Sequence, residues 1–160
     1  MTEPQLTPAR LWKRMTADQR LRAARAFWSD EEATDDQIQA VLLIAQQQKS
    51  RPKFIMALDT ERKAKRLASL ALLTDIVAAR TLVVYHLADH RDMMGAFLDA
   101  LGIKHENGLI EDDEVKPEPE KLAAAVAVLR EKFNADDVTL YLDTLRCQDP
   151  ATWGALSDVA

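Results

Sequence analysis

The chain has 160 residues, 48% of them apolar, with 21 Lys and Arg against 26 Asp and Glu. That is enough for a core burying roughly two-thirds of the unfolded surface, and it excludes an intrinsically disordered chain, which needs low hydrophobicity and high net charge. No run approaches the ~18 apolar residues of a membrane-spanning helix. The amino terminus MTEPQLTPAR lacks the apolar stretch of a signal peptide, and the single cysteine, Cys147, has no partner for an internal disulfide, so a reducing, cytoplasmic setting is expected.

Helix formers (Ala, Leu, Arg, Glu, Lys, Gln, Met) dominate, and four Gly and six Pro are all that break them. The two alternating runs, TLVVY at 81–85 and VTLYL at 138–142, lie inside helical periods. The expected fold is all-α, a compact bundle or short superhelix of about seven to nine helices with no significant sheet. One domain over residues 1–160 is expected, with a subdivision near 50–74.

Thr7 and Pro8 open a short helix reaching about Met15. Thr16-Ala-Asp-Gln19 reads as a capping box for a second helix to about Ser29, and Thr34-Asp-Asp-Gln37 as another for a third, which stops near Ser50 before Pro52. A helix from Lys53 is interrupted at Asp59-Thr60, where Thr60 can cap a fresh start. Thr74-Asp75 caps a central segment whose apolar residues Ile76, Val83, Leu87, Met94, Leu98 and Leu101 suit one buried stripe. A break at Asp89–Asp92, capped by one of those acids, is expected, because a single helix from 75 to 101 is far above the mean length. Gly102 is suited to the left-handed end of the second half.

The irregular acidic loop at 103–119 follows, with a turn at Asn107-Gly108 and Leu109-Ile110 tucked against the core. Helices resume at KLAAAVAVLREKF, after Asn134, and after Asp149-Pro150. FLDAL (97–101) and YLDTL (141–145) lie 44 residues apart, with FIMAL (54–58) as a fainter third copy. That offset is the period of HEAT-like helix pairs; two amphipathic helices drawing on the same common residues are the simpler explanation, since at least three repeats are normally needed and the third copy is poor.

All three histidines fall between 86 and 105. His86 and His90, four apart, project from one face of a continuous helix, and with His105 and Asp89 they form the candidate metal set for Zn, Fe, Ni or Cu. The string His86-Leu-Ala-Asp89-His90 differs from the H-x-x-E-H protease pattern in its shorter acid and lacks the surrounding strands, so it carries no family assignment. At core edges these histidines instead bond to carbonyls or acids. Met93, Met94 and Phe97 beside Gly95 are the candidate apolar groove, or else core. Cys147 beside Arg146 is a weaker nucleophile candidate.

Residues 1–66 carry 13 Lys and Arg against 9 Asp and Glu, and residues 67–160 carry 8 against 17. The densest basic run is Arg62, Lys63, Lys65 and Arg66, with Arg51 and Lys53 upstream. It is a solvated helix face or a phosphate-contacting one, without the aromatic interleaving of single-strand binders.

No catalytic constellation is specific enough to assign an enzyme. The first expectation is a protein–protein interaction or scaffold module that needs no cofactor and binds a protein partner or a second copy, away from membranes. The alternative is a metal-dependent helical enzyme or sensor using His86, His90 and His105. The third is a nucleic-acid-associated protein using the basic run, against which a pI near 5.2 weighs.

Overall fold

A computed structural model describes residues 6–106, 108–110 and 117–158. Among the described residues the protein is all-α: ten α-helices, a closing 3-10 turn and one ribbon of two two-residue strands. It divides into two compact units, residues 7–88 and residues 89–160 with 1–6.

The N-terminal unit holds α1 (Pro8–Arg14), α2 (Ala17–Ser29), α3 (Thr34–Gln48), α4 (Pro52–Met56), α5 (Thr60–Ala68) and α6 (Asp75–Asp89). α2 pairs most closely with α5, and both bury alanines (Ala23, Ala24, Ala64) that let the two axes approach. Helix ends are fixed by side chains. Thr16 and Gln19 form the expected capping box of α2. Arg20 donates through Nε to the Trp12 carbonyl (3.0 Å) and through Nη2 to the Lys13 carbonyl (2.8 Å), closing the end of α1, while its guanidinium lies over the Trp12 ring. The Trp12 indole is fully buried and donates to the Leu70 carbonyl at 2.9 Å, tying α1 to the turn after α5.

Three local expectations are corrected here. Thr34 makes no capping bond, and Ala33 stands at the N-cap of α3. Gln37 instead turns its amide across the corner, donating to the carbonyls of Phe27 and Asp30 at 2.9 Å each. α5 is capped by Asp59, not Thr60, because the carboxylate accepts directly from the Arg62 backbone N–H. On α6 the buried face comprises Val77, Ala78, Thr81, Leu82 and Tyr85, whereas Ile76 is 68% exposed. Of the rest of the expected stripe, Val83 and Leu87 are half-buried, and Met94, Leu98 and Leu101, beyond the end of α6 at Asp89, are buried as expected.

The C-terminal unit holds α7 (Arg91–Leu101), β1 (His105–Glu106), β2 (Leu109–Ile110), α8 (Pro119–Lys132), α9 (Ala135–Gln148), α10 (Pro150–Trp153) and the 3-10 turn Gly154–Asp158. The break before α7 falls where expected, but His90, not an aspartate, occupies the N-cap, without a side-chain capping bond. Asn134 and Asp149 cap α9 and α10 through their side chains. α7 packs on α8, and Phe97 meets Tyr141 edge-on and Trp153 at a tilt, each at 5.8 Å between centroids. Burial pushes the Tyr141 phenol above its ordinary range.

FLDAL and YLDTL thus meet through their equivalent aromatic residues. The third copy is not equivalent: Phe54 is half exposed, where Phe97 and Tyr141 are buried. The region predicted to be irregular contains the ribbon, pairing His105 with Ile110 and Glu106 with Leu109 antiparallel. Leu109 and Ile110 are exposed rather than tucked inward, since the ribbon's other side faces α7.

Two tryptophans separate hydrogen bonding from packing. Trp12 Nε1 has its carbonyl, whereas the buried Trp28 Nε1 has no hydrogen-bond partner. Trp12→Phe strands a buried carbonyl, at a cost of about 1–3 kcal/mol; Trp28→Phe strands nothing. Urea unfolding is expected to show Trp12→Phe as the more destabilising by about 1 kcal/mol or more, and equal losses would contradict the assignment.

Candidate functional site

The histidine-bearing stretch is organised around two glycines. Gly108 lies in the ribbon turn at φ +88°, and a Cβ there would sit 2.7 Å from the Met94 Cβ and 3.3 Å from the Arg91 carbonyl. A Cβ at Gly95 would sit 3.3 Å from His105 Cε1. The ribbon therefore rests directly on α7, with the His105 ring over Gly95 and the Gly108 backbone beside it. A helical Gly costs about 1 kcal/mol relative to Ala; here its missing side chain is what admits the ring.

Both ring nitrogens of His105 are engaged. The Gly108 backbone N–H donates to Nδ1 at 3.1 Å, so the proton of the neutral ring lies on Nε2, 2.7 Å from Asp99 Oδ1. His105 works as a clamp from α7 through the ring to the turn. Beside it Asp99, Gly102, Ile103, Lys104 and His105 line a shallow recess of about 360 Å³.

The other histidines take separate places. His86 is buried in the last turn of α6, its ring stacked on Tyr85 at 5.8 Å. His90 is buried at the N-cap of α7, with Nε2 3.6 Å from Asp137 Oδ2 on α9. The spacing of 86 and 90 falls across the helix end, so the single-helix geometry expected of a metal pair is not formed. Asp89 is exposed at that break. Among the described residues no three His, Cys, Asp or Glu side chains are grouped to hold a metal ion.

Met93, Met94 and Phe97, the expected groove, are packed in the core of the C-terminal unit. The half-buried Cys147 thiol donates to the Leu6 carbonyl at 3.6 Å.

The basic run on α5 is partly absorbed by the fold. Lys63 Nζ lies 5.5 Å over the Trp28 ring, and the Arg66 guanidinium lies 5.1 Å over the Phe54 ring while donating to Gln48 Oε1. Arg62 approaches Asp59 at 3.8 Å, and Lys65 is exposed. Nearby, Arg25 binds Glu61 through two bonds and holds its carboxyl below the usual range.

Sequence reading did not single out the exposed apolar residues of α3 and α4. Ile38 and Leu42 of α3 are 45% and 49% exposed, and Phe54 and Met56 of α4 are 51% and 56% exposed. The two helices that carry them, α3 and α4, pack against each other. Gln48, at the end of α3, donates to the Arg66 carbonyl and Ser69 Oγ at the end of α5. Gln37, near the start of α3, reaches Phe27, next to the Trp28 ring that carries Lys63 from the start of α5. The ends of α3 and α5 are thus tied together, and α4, between them in the chain, packs on α3.

Asp36 and Gln47 of α3 bond to Arg80 and to the Leu72 carbonyl. Ile38 and Leu42 project from the opposite edge of that helix. The sequence signal was present: α3 is apolar at 38, 40, 41, 42, 43, 44 and 45, wider than one buried stripe requires.

Comparison with known protein families, curated proteins and solved structures finds no match for this chain.

The clamp is tested by coupling. Gly95→Ala in a His105→Ala background, where the ring is gone, is expected to stabilise the protein by up to about 1 kcal/mol. In the native background the ring must shift, and most of that gain disappears. Gly108→Ala, strained at positive φ and blocked by Met94, is expected to free the ribbon, read as lost hydrogen-exchange protection of the residue-108 amide. Identical Gly95→Ala effects in both backgrounds would show that the ring does not rest on α7.

Proposed function

We propose that this chain is a protein-interaction module, and that a partner docks on the flank formed by Ile38 and Leu42 of α3 and Phe54 and Met56 of α4. The observation that carries this reading is four large apolar side chains, each about half exposed, on two helices that pack against each other. Single exposed apolar residues are ordinary on monomers, but a contiguous group marks a contact surface. α4 is short and has no side-chain N-cap bond, so burying its outer side is the natural gain on binding. His105, with both nitrogens committed, is a structural clamp in this reading, and the recess beside it has no assigned ligand.

Photo-crosslinking tests the proposal. A benzophenone amino acid placed at Leu42 or Met56 in the native host is expected to form a discrete adduct with one protein species. The same probe at the exposed Lys132 of α8 should not form it. No adduct from either flank position, or the same adducts from Lys132, would contradict the docking face.

A further inference from the structure

Resting on the docking flank just described, we infer that its partner presents an acidic segment studded with large apolar side chains. The net positive charge of the N-terminal unit falls in the stretch that holds α4 and most of α5, with Lys49, Arg51 and Lys53 next to the flank in the chain. Residues 7–88 carry 14 Lys and Arg against 9 Asp and Glu, a balance of +5. Residues 49–66, which contain α4 and most of α5, carry 7 against 2, also +5. The rest of the unit is neutral.

The two acids in that stretch are already engaged, Asp59 beside Arg62 and Glu61 with Arg25. Lys49, Arg51 and Lys53 stand exposed around α4, and Arg66 lies over the Phe54 ring. Asp35 is exposed at the far end, next to Ile38, so the positive field strengthens along the flank toward α4.

Apolar side chains ringed by cations fit a protein segment with the opposite ring. Leu, Ile or Phe on the partner would cover Leu42, Phe54 and Met56, while Asp and Glu at the rim meet Lys49, Arg51 and Lys53. Rim charges of this kind set encounter rate and partner choice more than raw affinity. Nucleic acid fits less well. Phe54 is the flank's only aromatic ring, one side of it is taken by Arg66, and the three aliphatic side chains offer bases no stacking surface.

The test uses the whole protein, labelled with nitrogen-15, and synthetic helical peptides about four turns long. The first has Leu on one face and Glu elsewhere; the second replaces Glu by Lys; the third replaces Leu by Ser. The expected result is that the Glu/Leu peptide binds and shifts amides between 38 and 56. It should bind at least about tenfold more tightly than either control, and weaken about tenfold on Arg51→Glu/Lys53→Glu or at high salt.

Equal binding of the Glu and Lys peptides would overturn the acidic partner while leaving an apolar docking face standing. No binding by the Glu/Leu peptide, or shifts confined to other residues, would overturn the inference as well. A peptide of this chain's own residues 106–118 that alone binds would replace the foreign partner with a second copy. A short oligothymidylate that outcompetes the peptides would assign the face to nucleic acid instead.

Discussion

Every helix in this chain is short, and a short helix in water does not stand by its own backbone bonds. Its stability comes from laying one apolar stripe against neighbours. The longest here, α3 and α6, have 15 residues each. That constraint decides which side chains go inside. α6 turns Val77, Ala78, Thr81, Leu82 and Tyr85 inward and leaves Ile76 in solvent. α3 buries Ala40, Val41, Ile44 and Ala45, which fill its stripe, so Ile38 and Leu42 are left over. The surplus on α3, joined by Phe54 and Met56, is what turns a packing rule into a statement about function.

Polar side chains then set the corners between stripes. The Trp12 indole, the Arg20 guanidinium and the Gln37 amide each bind carbonyls at or beyond a helix end. Each fixes the angle at which the chain leaves one helix for the next. In the C-terminal unit His105 does the same for the ribbon, with Gly95 and Gly108 removing the atoms that would hold it off α7. His90 and His105 approach acids on different elements, Asp137 of α9 and Asp99 of α7, as residues that fix the fold do.

What was legible in the sequence was what depends on neighbours three or four residues away. Thr16 and Gln19 cap as read; so do Asn134 and Asp149, and Gly102 takes its left-handed conformation. The same local pattern at Thr34 and Gln37 misled, because two carbonyls of the preceding helix end, outside the motif, compete for the amide of Gln37. The ribbon and its clamp depend on His105 and Gly108 meeting α7, a tertiary contact with no local signature. The proposed docking flank was half legible: α3 was visibly too apolar for one stripe, but which residues were surplus depended on its tertiary neighbours.

The central claim is that Leu42 and Met56 belong to a contact surface and not to the core. The most direct measurement is the urea stability of Leu42→Gln/Met56→Gln. Exposed positions away from special features change stability by about 0.5 kcal/mol or less each, so an unfolding midpoint close to that of the native chain is the expected result. A loss of about 2–5 kcal/mol, the range of a truncated buried side chain, would place these residues in the core and contradict the claim.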